Sequence, residues 1–293
     1  GFARDPMYVN IFVLALNIFG NSIALFGLFG LPVFGVAGVA VSTVFSQLVA
    51  FFLLAYRIRS KGSDIEFSLK NIFRIPPWAY RSILAVGVPT AGENLSYNIA
   101  QIMIVSFIAR MGTSSLAAYG LVITLSRYVF ISGVSIGQAT QIKVGFLVGA
   151  RRSEEAQRCV YRYFLLGIVI SVLAVLLLYF FRSSLIGLFT DDPRITAIAA
   201  SALLVSLLLE PGRSFNTIIT PALKGSGDIR FPVYVGLVFM WLFGVLFAYV
   251  FGIVLGLGLV GVWLALSMDE WTRGLIHLFR WKSGAWKAKS MVS

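Results

Sequence analysis

Reactive side chains are nearly missing from this sequence. Its 293 residues include one cysteine, Cys159, and one histidine, His277. That excludes an internal disulfide and any Cys- or His-rich metal centre, and it leaves little material for a nucleophile–base pair, so neither an enzyme nor a cofactor is expected. Charge is also scarce. Asp, Glu, Lys and Arg make up 12% of the chain, about half of what a soluble domain uses to cover itself. No signal-peptide pattern precedes the first apolar run, which follows the charged pair Arg4-Asp5. What the chain has instead is apolar bulk: 58% hydrophobic residues, with 25 Phe, 11 Tyr and 6 Trp, and a mean hydropathy of +0.89. Disorder, collagen-like repeats and disulfide scaffolds are excluded by that composition.

A helix needs roughly 20 apolar residues to cross the hydrocarbon. Eight runs qualify, near 7–29, 31–56, 83–109, 115–146, 163–181, 195–222, 233–255 and 257–281. None shows the alternation of a barrel strand, so the fold class expected is an all-α membrane protein with eight transmembrane helices. Eight crossings put both termini on one side. With Lys143 and Arg280, at the cytoplasmic ends of their spans, counted to that side, 18 of the 24 Lys and Arg fall there, 3 on the other side and 3 (Arg127, Arg213 and Arg273) deeper inside spans. The asymmetry places both ends in the cytoplasm of a multi-pass plasma-membrane protein. It also accounts for the net charge of +12 through topology and anionic lipid, without nucleic acid.

The chain resembles itself at its two ends. Pro6-Met7-Tyr8-Val9 matches Pro232-Val233-Tyr234-Val235, Phe26-Gly27 matches Phe251-Gly252, and Gly35-x-x-Gly38-Val39 matches Gly258-x-x-Gly261-Val262, with Arg57 against Arg280. Ordered internal repetition of this kind is a transporter feature. It makes the first two helices the closing pair of one six-helix lobe and the last six a complete second lobe. The expected organisation is residues 1–58 as the end of the first lobe, 59–81 as an interfacial linker, 82–282 as the second lobe and 283–293 as a cytoplasmic tail. The opening four helices of the first lobe are then missing, which fits a start at Gly1 instead of methionine. Each Gly-x-x-Gly pair is read as a close backbone approach and not as a phosphate cradle.

Gly87-Val88-Pro89-Thr90 with Gly92-Glu93-Asn94, Arg110-Met111-Gly112 with Leu116-Ala117-Ala118-Tyr119-Gly120, Gln138-Ala139-Thr140, Val148-Gly149-Ala150-Arg151-Arg152 and Ala222-Leu223-Lys224-Gly225-Ser226-Gly227-Asp228 follow one another along the chain. The ordered set resembles the multidrug and toxic compound extrusion (MATE) family of the MOP superfamily. The resemblance covers essentially the whole chain. It implies twelve helices in two rocking lobes, a monomer, and export of amphiphilic, often cationic small molecules in exchange for H+ or Na+. Members coupled through the second lobe carry a Glu on the seventh helix slightly beyond the position of Glu93, and an Asp on the tenth that falls near Arg213. Those residues do not transfer cleanly to this chain.

Its own buried polar groups supply candidates, because an ionised side chain at the bilayer centre costs at least ~2.5–3.5 kcal/mol. Glu93, Ser96, Tyr97, Ala100 and Gln101 form a stripe at helical spacing, widened by Asn94 and Asn98. Glu93 either binds the coupling cation, Na+ included, or pairs structurally with an arginine. Glu210-Pro211-Gly212-Arg213 predicts a kink, with carbonyls freed for Asn216, Thr217 or water. Glu210 and Arg213 are either a pair that changes partner between states or a permanent ion pair. Arg127 is a counter-ion for Glu93 or Glu210, or a contact for anionic substrate groups. Asp269 and Arg273 stand at i, i+4. His277 reads as an interfacial residue more than as a proton relay. Tyr97, Tyr119, Tyr128, Phe130 and Phe215 are candidate walls for lipophilic cations.

The rival readings are a lipid-linked oligosaccharide flippase, a membrane enzyme, a scaffold, or an inactive transporter fragment. Four in-span acids (Glu93, Glu210, Asp269, Glu270) against three arginines weigh against the flippase, whose cavity is more cationic. The exchange mechanism expected has an ion and a substrate with opposite preferences for the inward and outward states.

Overall fold

The computed structural model describes residues 4–30, 32–61 and 76–289 and is helical throughout, with no strand among the described residues. Contacts divide it into two units, Gly1–Tyr80 and Arg81–Ser293. Most of the expected linker, residues 62–75, lies outside the described residues.

The first unit is a helical hairpin. α1 (Arg4–Phe26) and α2 (Gly35–Lys61) are joined by a 3-10 turn at Leu28–Gly30. Val9, Val13 and Ala50 form its small core. Asn17 donates to Thr43 Oγ1 at 3.3 Å and Asp5 faces Arg57 at 3.9 Å. Gly38 packs so closely on Ala24 that a Cβ there would lie 2.8 Å from the alanine Cβ.

The second unit is a bundle of α3 (Pro77–Arg110), α4 (Thr113–Gly149), α5 (Ser153–Phe180), the short α6 (Arg182–Gly187), α7 (Pro193–Ser226), α8 (Arg230–Phe239) and α9 (Gly258–Lys282). α8 continues through two wider, π-helical stretches, Met240–Phe247 and Val250–Val254. Asp192 caps α7, accepting from the backbone N–H of Arg194 at 2.8 Å, with Pro193 in the first turn where it needs no donor. α7 is the central element, with α4, α5 and α9 packed along it.

Small residues set that packing. In a membrane there is little hydrophobic drive between helices, so close backbone approach and dispersion hold them together. Gly137 and Gly225 let α4 and α7 touch backbone to backbone: a Cβ on Gly225 would stand 2.6 Å from the Gln141 carbonyl oxygen, and one on Gly137 would overlap that of Thr217. α3 joins through long side chains instead. Trp241 donates to Ser96 Oγ at 2.8 Å, and Phe107 meets Tyr249 edge-on at 5.4 Å.

Six of the helices, α1, α2, α4, α5, α7 and α8 with its extension, are long and apolar enough to cross a membrane. The chain is therefore a multi-pass membrane protein. Among the described residues α3 and α9 fall short of that measure. They carry the polar stripe at 93–101 and the charged run at 269–282, so their apolar content is diluted. The two Gly-x-x-Gly pairs divide their labour differently from expectation. Gly38 and Gly261 make the close contacts, whereas Gly35 and Gly258 have open space around them and instead take the left-handed backbone, with φ of 56° and 58°. Gly35 and Gly258, aligned with each other in the expected repeat, thus share one backbone conformation. Past α9, a 3-10 turn at Ala285–Lys289 buries Trp286 flat against Trp281, with 4.3 Å between the rings.

Replacing Gly137 with leucine should destabilise the bundle by about 1–3 kcal/mol through overpacking, read as a lower thermal midpoint in detergent. Gly120→Leu, at a helical glycine with nothing within 4 Å, should leave the midpoint unchanged or raise it.

Candidate functional site

The interior of the second unit is stratified. One apolar cluster gathers Ile104, Val122, Leu203, Leu209, Val262 and Trp263. A second gathers Val144, Val160, Ile219, Leu223, Trp281 and Trp286. Between them α7 and α9 turn polar faces to each other: Glu210, Arg213, Asn216 and Thr220 on one, Asp269, Glu270, Arg273 and His277 on the other. Both sets follow the helical i+3/i+4 repeat, so each lines one seam.

The seam is tightly paired. Arg213 Nη1 donates to Glu210 Oε1 at 2.7 Å, and its Nε lies 3.6 Å from Glu270 Oε1. Arg273 grips Asp269 with both ends of its fork, at 2.8 and 2.6 Å, and stands 3.3 Å from Glu270 Oε2. Each guanidinium thus has a nearer carboxylate and shares Glu270 as its second. Asn216 supplies Glu270 with a neutral donor, giving its amide hydrogens to Glu270 O and Oε2, both at 2.7 Å. Three acids and two arginines leave one negative charge in excess when all five are ionised.

A cavity of about 230 Å³ opens beside this cluster. α3 lines it with Tyr97, Gln101 and Ile104, and α4 with Tyr119, Ile123, Ser126, Arg127 and Phe130. Arg213 reaches it from α7, Met240 and Gly244 from the π-helical stretch of α8, and Trp263, Asp269, Glu270 and Arg273 from α9. Widened turns of this kind often stand at functional sites. Arg213 also lies over the Phe130 ring at 5.6 Å. Ser126 Oγ, buried in the wall, has no hydrogen-bond partner among the described residues.

The expected site residues separate into two places. Tyr97, Gln101, Arg127, Arg213 and Asp269 line the cavity, with Glu210 directly behind Arg213. Glu93, Asn94 and Asn98 do not. Glu93 pairs with Lys224 at 2.6 Å, and Asn98 donates to the Asn94 carbonyl at 2.8 Å. Arg127 is therefore not the counter-ion of Glu93 or Glu210; it is exposed at the cavity and has no carboxylate partner among the described residues. A Na+ ion on Glu93 would have to displace an ammonium. The residues that sequence reasoning left off the site are Glu270, Arg273, Asn216, Ser126 and Lys224. The complementary spacing of polar groups on α7 and α9 was the signal for the first three.

Two further expectations change. α7 runs through Pro211, which has no N–H for the Leu207 carbonyl, and the neighbouring Leu208 carbonyl accepts from Trp271 Nε1 at 2.8 Å, not from Asn216 or Thr217. Gly212 makes room, since a Cβ there would stand 2.6 Å from the indole. His277 is not interfacial: it is 1% exposed and sits between α7 and the edge of Phe231. Its Nδ1 lies 3.1 Å from Asn216 Oδ1 and 3.0 Å from Thr220 Oγ1. Because the Asn216 amide nitrogen already faces Glu270, its oxygen must accept, so the hydrogen-bond network assigns the proton to Nδ1. Nε2 is then a buried lone pair without a partner among the described residues.

With this geometry in place, the comparisons with known proteins can be stated. A family model described as MatE matches residues 89–250. The chain belongs to this family. MatE proteins are transporters, and the multi-pass character of the chain agrees with that class. It is 40% identical over its full length to an uncharacterized transporter of Bacillus subtilis, YisQ, spanning 64% of that protein. It is 28% identical, again over its full length and 63% of the relative, to a probable multidrug resistance protein, NorM, of Thermotoga maritima. The chain thus spans under two thirds of these relatives. A MATE crystal structure in the bent conformation superposes with a TM-score of 0.85 at 22% identity, covering 98% of this chain and 63% of that one. A MOP superfamily transporter from Pyrococcus furiosus does so with a TM-score of 0.85 at 21% identity, covering 96% and 63%. At that identity the likeness is one of fold.

Arg213→Ala should cost about 3–5 kcal/mol of stability, because it leaves Glu210, 1% exposed, without its cation. The double variant Glu210→Gln/Arg213→Gln should recover most of that loss in a thermal unfolding series. Solid-state NMR of isotope-labelled histidine should show the Nδ1–H tautomer at His277; an Nε2–H signal would contradict the assignment.

Proposed function

We propose that this chain supplies the second lobe, and two helices of the first, to a cation-coupled exporter of amphiphilic small molecules. All eight long helices cross the membrane in this reading. α3 and α9 do so despite their charges, since those charges are paired inside the bundle. Both ends face the cytoplasm, as the Lys and Arg asymmetry favours. The multidrug-resistance names of the relatives support the substrate class.

The observation that carries the reading is the charge balance of the cavity. Its seam cluster of three acids and two arginines carries one negative charge in excess, shared through Glu270, and Arg127, on the same cavity, balances it without a carboxylate contact among the described residues. A proton or Na+ arriving from outside neutralises that charge and makes the site indifferent to a cationic substrate, which leaves. Loss of the ion inward restores the charge, and a lipophilic cation from the cytoplasm or inner leaflet rebinds against Tyr97, Tyr119 and Phe130. Ion and substrate then have opposite preferences for the two states, which is the requirement for exchange. In this reading coupling falls to Glu270, while Glu93 and Lys224 tie α3 to α7.

The test uses the full-length protein carrying this sequence, reconstituted in liposomes under an imposed H+ or Na+ gradient. Gradient-driven movement of a fluorescent lipophilic cation should fall about tenfold or more in Glu270→Gln, and distinctly less in Glu93→Gln. Undiminished exchange in Glu270→Gln would overturn the assignment.

A further inference from the structure

A second charged site lies at the other end of the bundle, away from the cavity. Where α4 ends and α5 begins, around the turn Ala150–Arg152, a cleft of about 590 Å³ is lined by Lys143, Leu147, Arg152, Arg158, Arg162 and Tyr163. The acid that lines it is Glu155. It is already taken, because Arg152 donates to both of its oxygens, each at 2.6 Å. Lys143, Arg158 and Arg162 have no carboxylate within 4.0 Å among the described residues. Arg158 and Arg162 stand at i, i+4 on one helix, an arrangement that is itself destabilising by a few tenths of a kcal/mol when nothing compensates it. Glu155 feels Arg158 and Lys143 through space, but with Arg152 and Arg162 the cleft still presents four cations to one acid, which fits an anion.

The surroundings say what kind of anion. Beyond Arg158 and Arg162 the same face of α5 presents Leu166, Val169, Leu173 and Leu177, all exposed. From 166 to 177 this track is roughly 16 Å long at 1.5 Å per residue, about half of the ~30 Å hydrocarbon core. A free phosphate or a nucleotide would use the basic end and leave the track unexplained. An acyl chain in one leaflet matches its length, and a phosphodiester head matches the three cations.

We propose that this cleft binds one anionic phospholipid, with its phosphate among Lys143, Arg158 and Arg162 and one acyl chain along residues 166–177. The site requires that the chain spans a bilayer but does not depend on the exchange reaction, so it stands or falls separately from the coupling assignment.

Native mass spectrometry of the detergent-purified protein provides the test. Phosphatidylglycerol and phosphatidylcholine with identical acyl chains are titrated in parallel, with inorganic phosphate as a third arm. Phosphatidylglycerol should be retained about tenfold more strongly than phosphatidylcholine. Arg158→Gln/Arg162→Gln should erase that preference, while Arg158→Lys/Arg162→Lys keeps most of it. Arg110→Gln/Arg194→Gln, which removes equal charge elsewhere on the surface, should leave it intact. Equal retention of the two lipids by the unaltered protein would overturn the proposal, and that arm needs no variant to fold. So would an undiminished preference in the Arg→Gln pair, an equal loss in the Arg110/Arg194 control, or inorganic phosphate bound as tightly as the lipid.

Discussion

Charge inside an apolar helical bundle has to be answered within the bundle. Water is not available to solvate it, and an isolated ion there costs several kcal/mol even after relaxation. That constraint explains the layout of the second unit. Apolar clusters flank a middle belt of α7 and α9 in which Glu210, Arg213, Asp269, Glu270 and Arg273 answer one another, and nearer the helix ends Lys224 is answered by Glu93 and Arg280 by Asp228. α7 can sit at the centre because its neighbours bring glycines to it, and beside Pro211 Trp271 from α9 donates to its Leu208 carbonyl. Packing and electrostatics therefore meet on one helix.

Within the belt the pairing is graded. Glu210 and Asp269 each hold an arginine at hydrogen-bond distance, whereas Glu270 stands 3.6 Å from Arg213 and 3.3 Å from Arg273. Its firmest partner is a neutral amide, Asn216, and that amide is itself oriented by His277. The first two acids are committed to structure. Glu270, at the cavity wall, is held less closely by either arginine, and the proposed exchange rests on that looser hold.

Much of this was legible in the sequence wherever partners are near neighbours. The helices follow from apolar runs, and the Glu210–Arg213 and Asp269–Arg273 pairs follow from i+3 and i+4 spacing, because a helix alone brings those side chains together. Partners distant in the chain were not legible. Lys224 meets Glu93 across 131 residues, and Asn216 meets Glu270 across 54. No local rule ranks Lys224 above Arg127 as the cation for Glu93. His277 was misplaced for the same reason: its position near a helix end suggests an interface, but its spacing from Arg273 puts it on the buried seam. The glycine pairs were located correctly, yet sequence cannot tell a glycine chosen for its left-handed backbone from one chosen for its missing Cβ.

What the cavity needs is charge at a place, not on a particular helix. The resemblance to MATE proteins anticipates an acid on α7 near residue 213, and this chain has an arginine there. Taken alone that exchange would reverse the sign of the wall. The seam limits that effect: α9 runs alongside α7 and presents Asp269 and Glu270 at the same level, so the arginine is neutralised and the seam keeps one negative charge, with Arg127 on the same cavity to balance it. An acid moved across a helix–helix contact of a few ångströms leaves the charge of the seam with the same sign. It also makes Arg213 part of the site, since the distribution of charge between Glu210 and Glu270 now passes through its guanidinium.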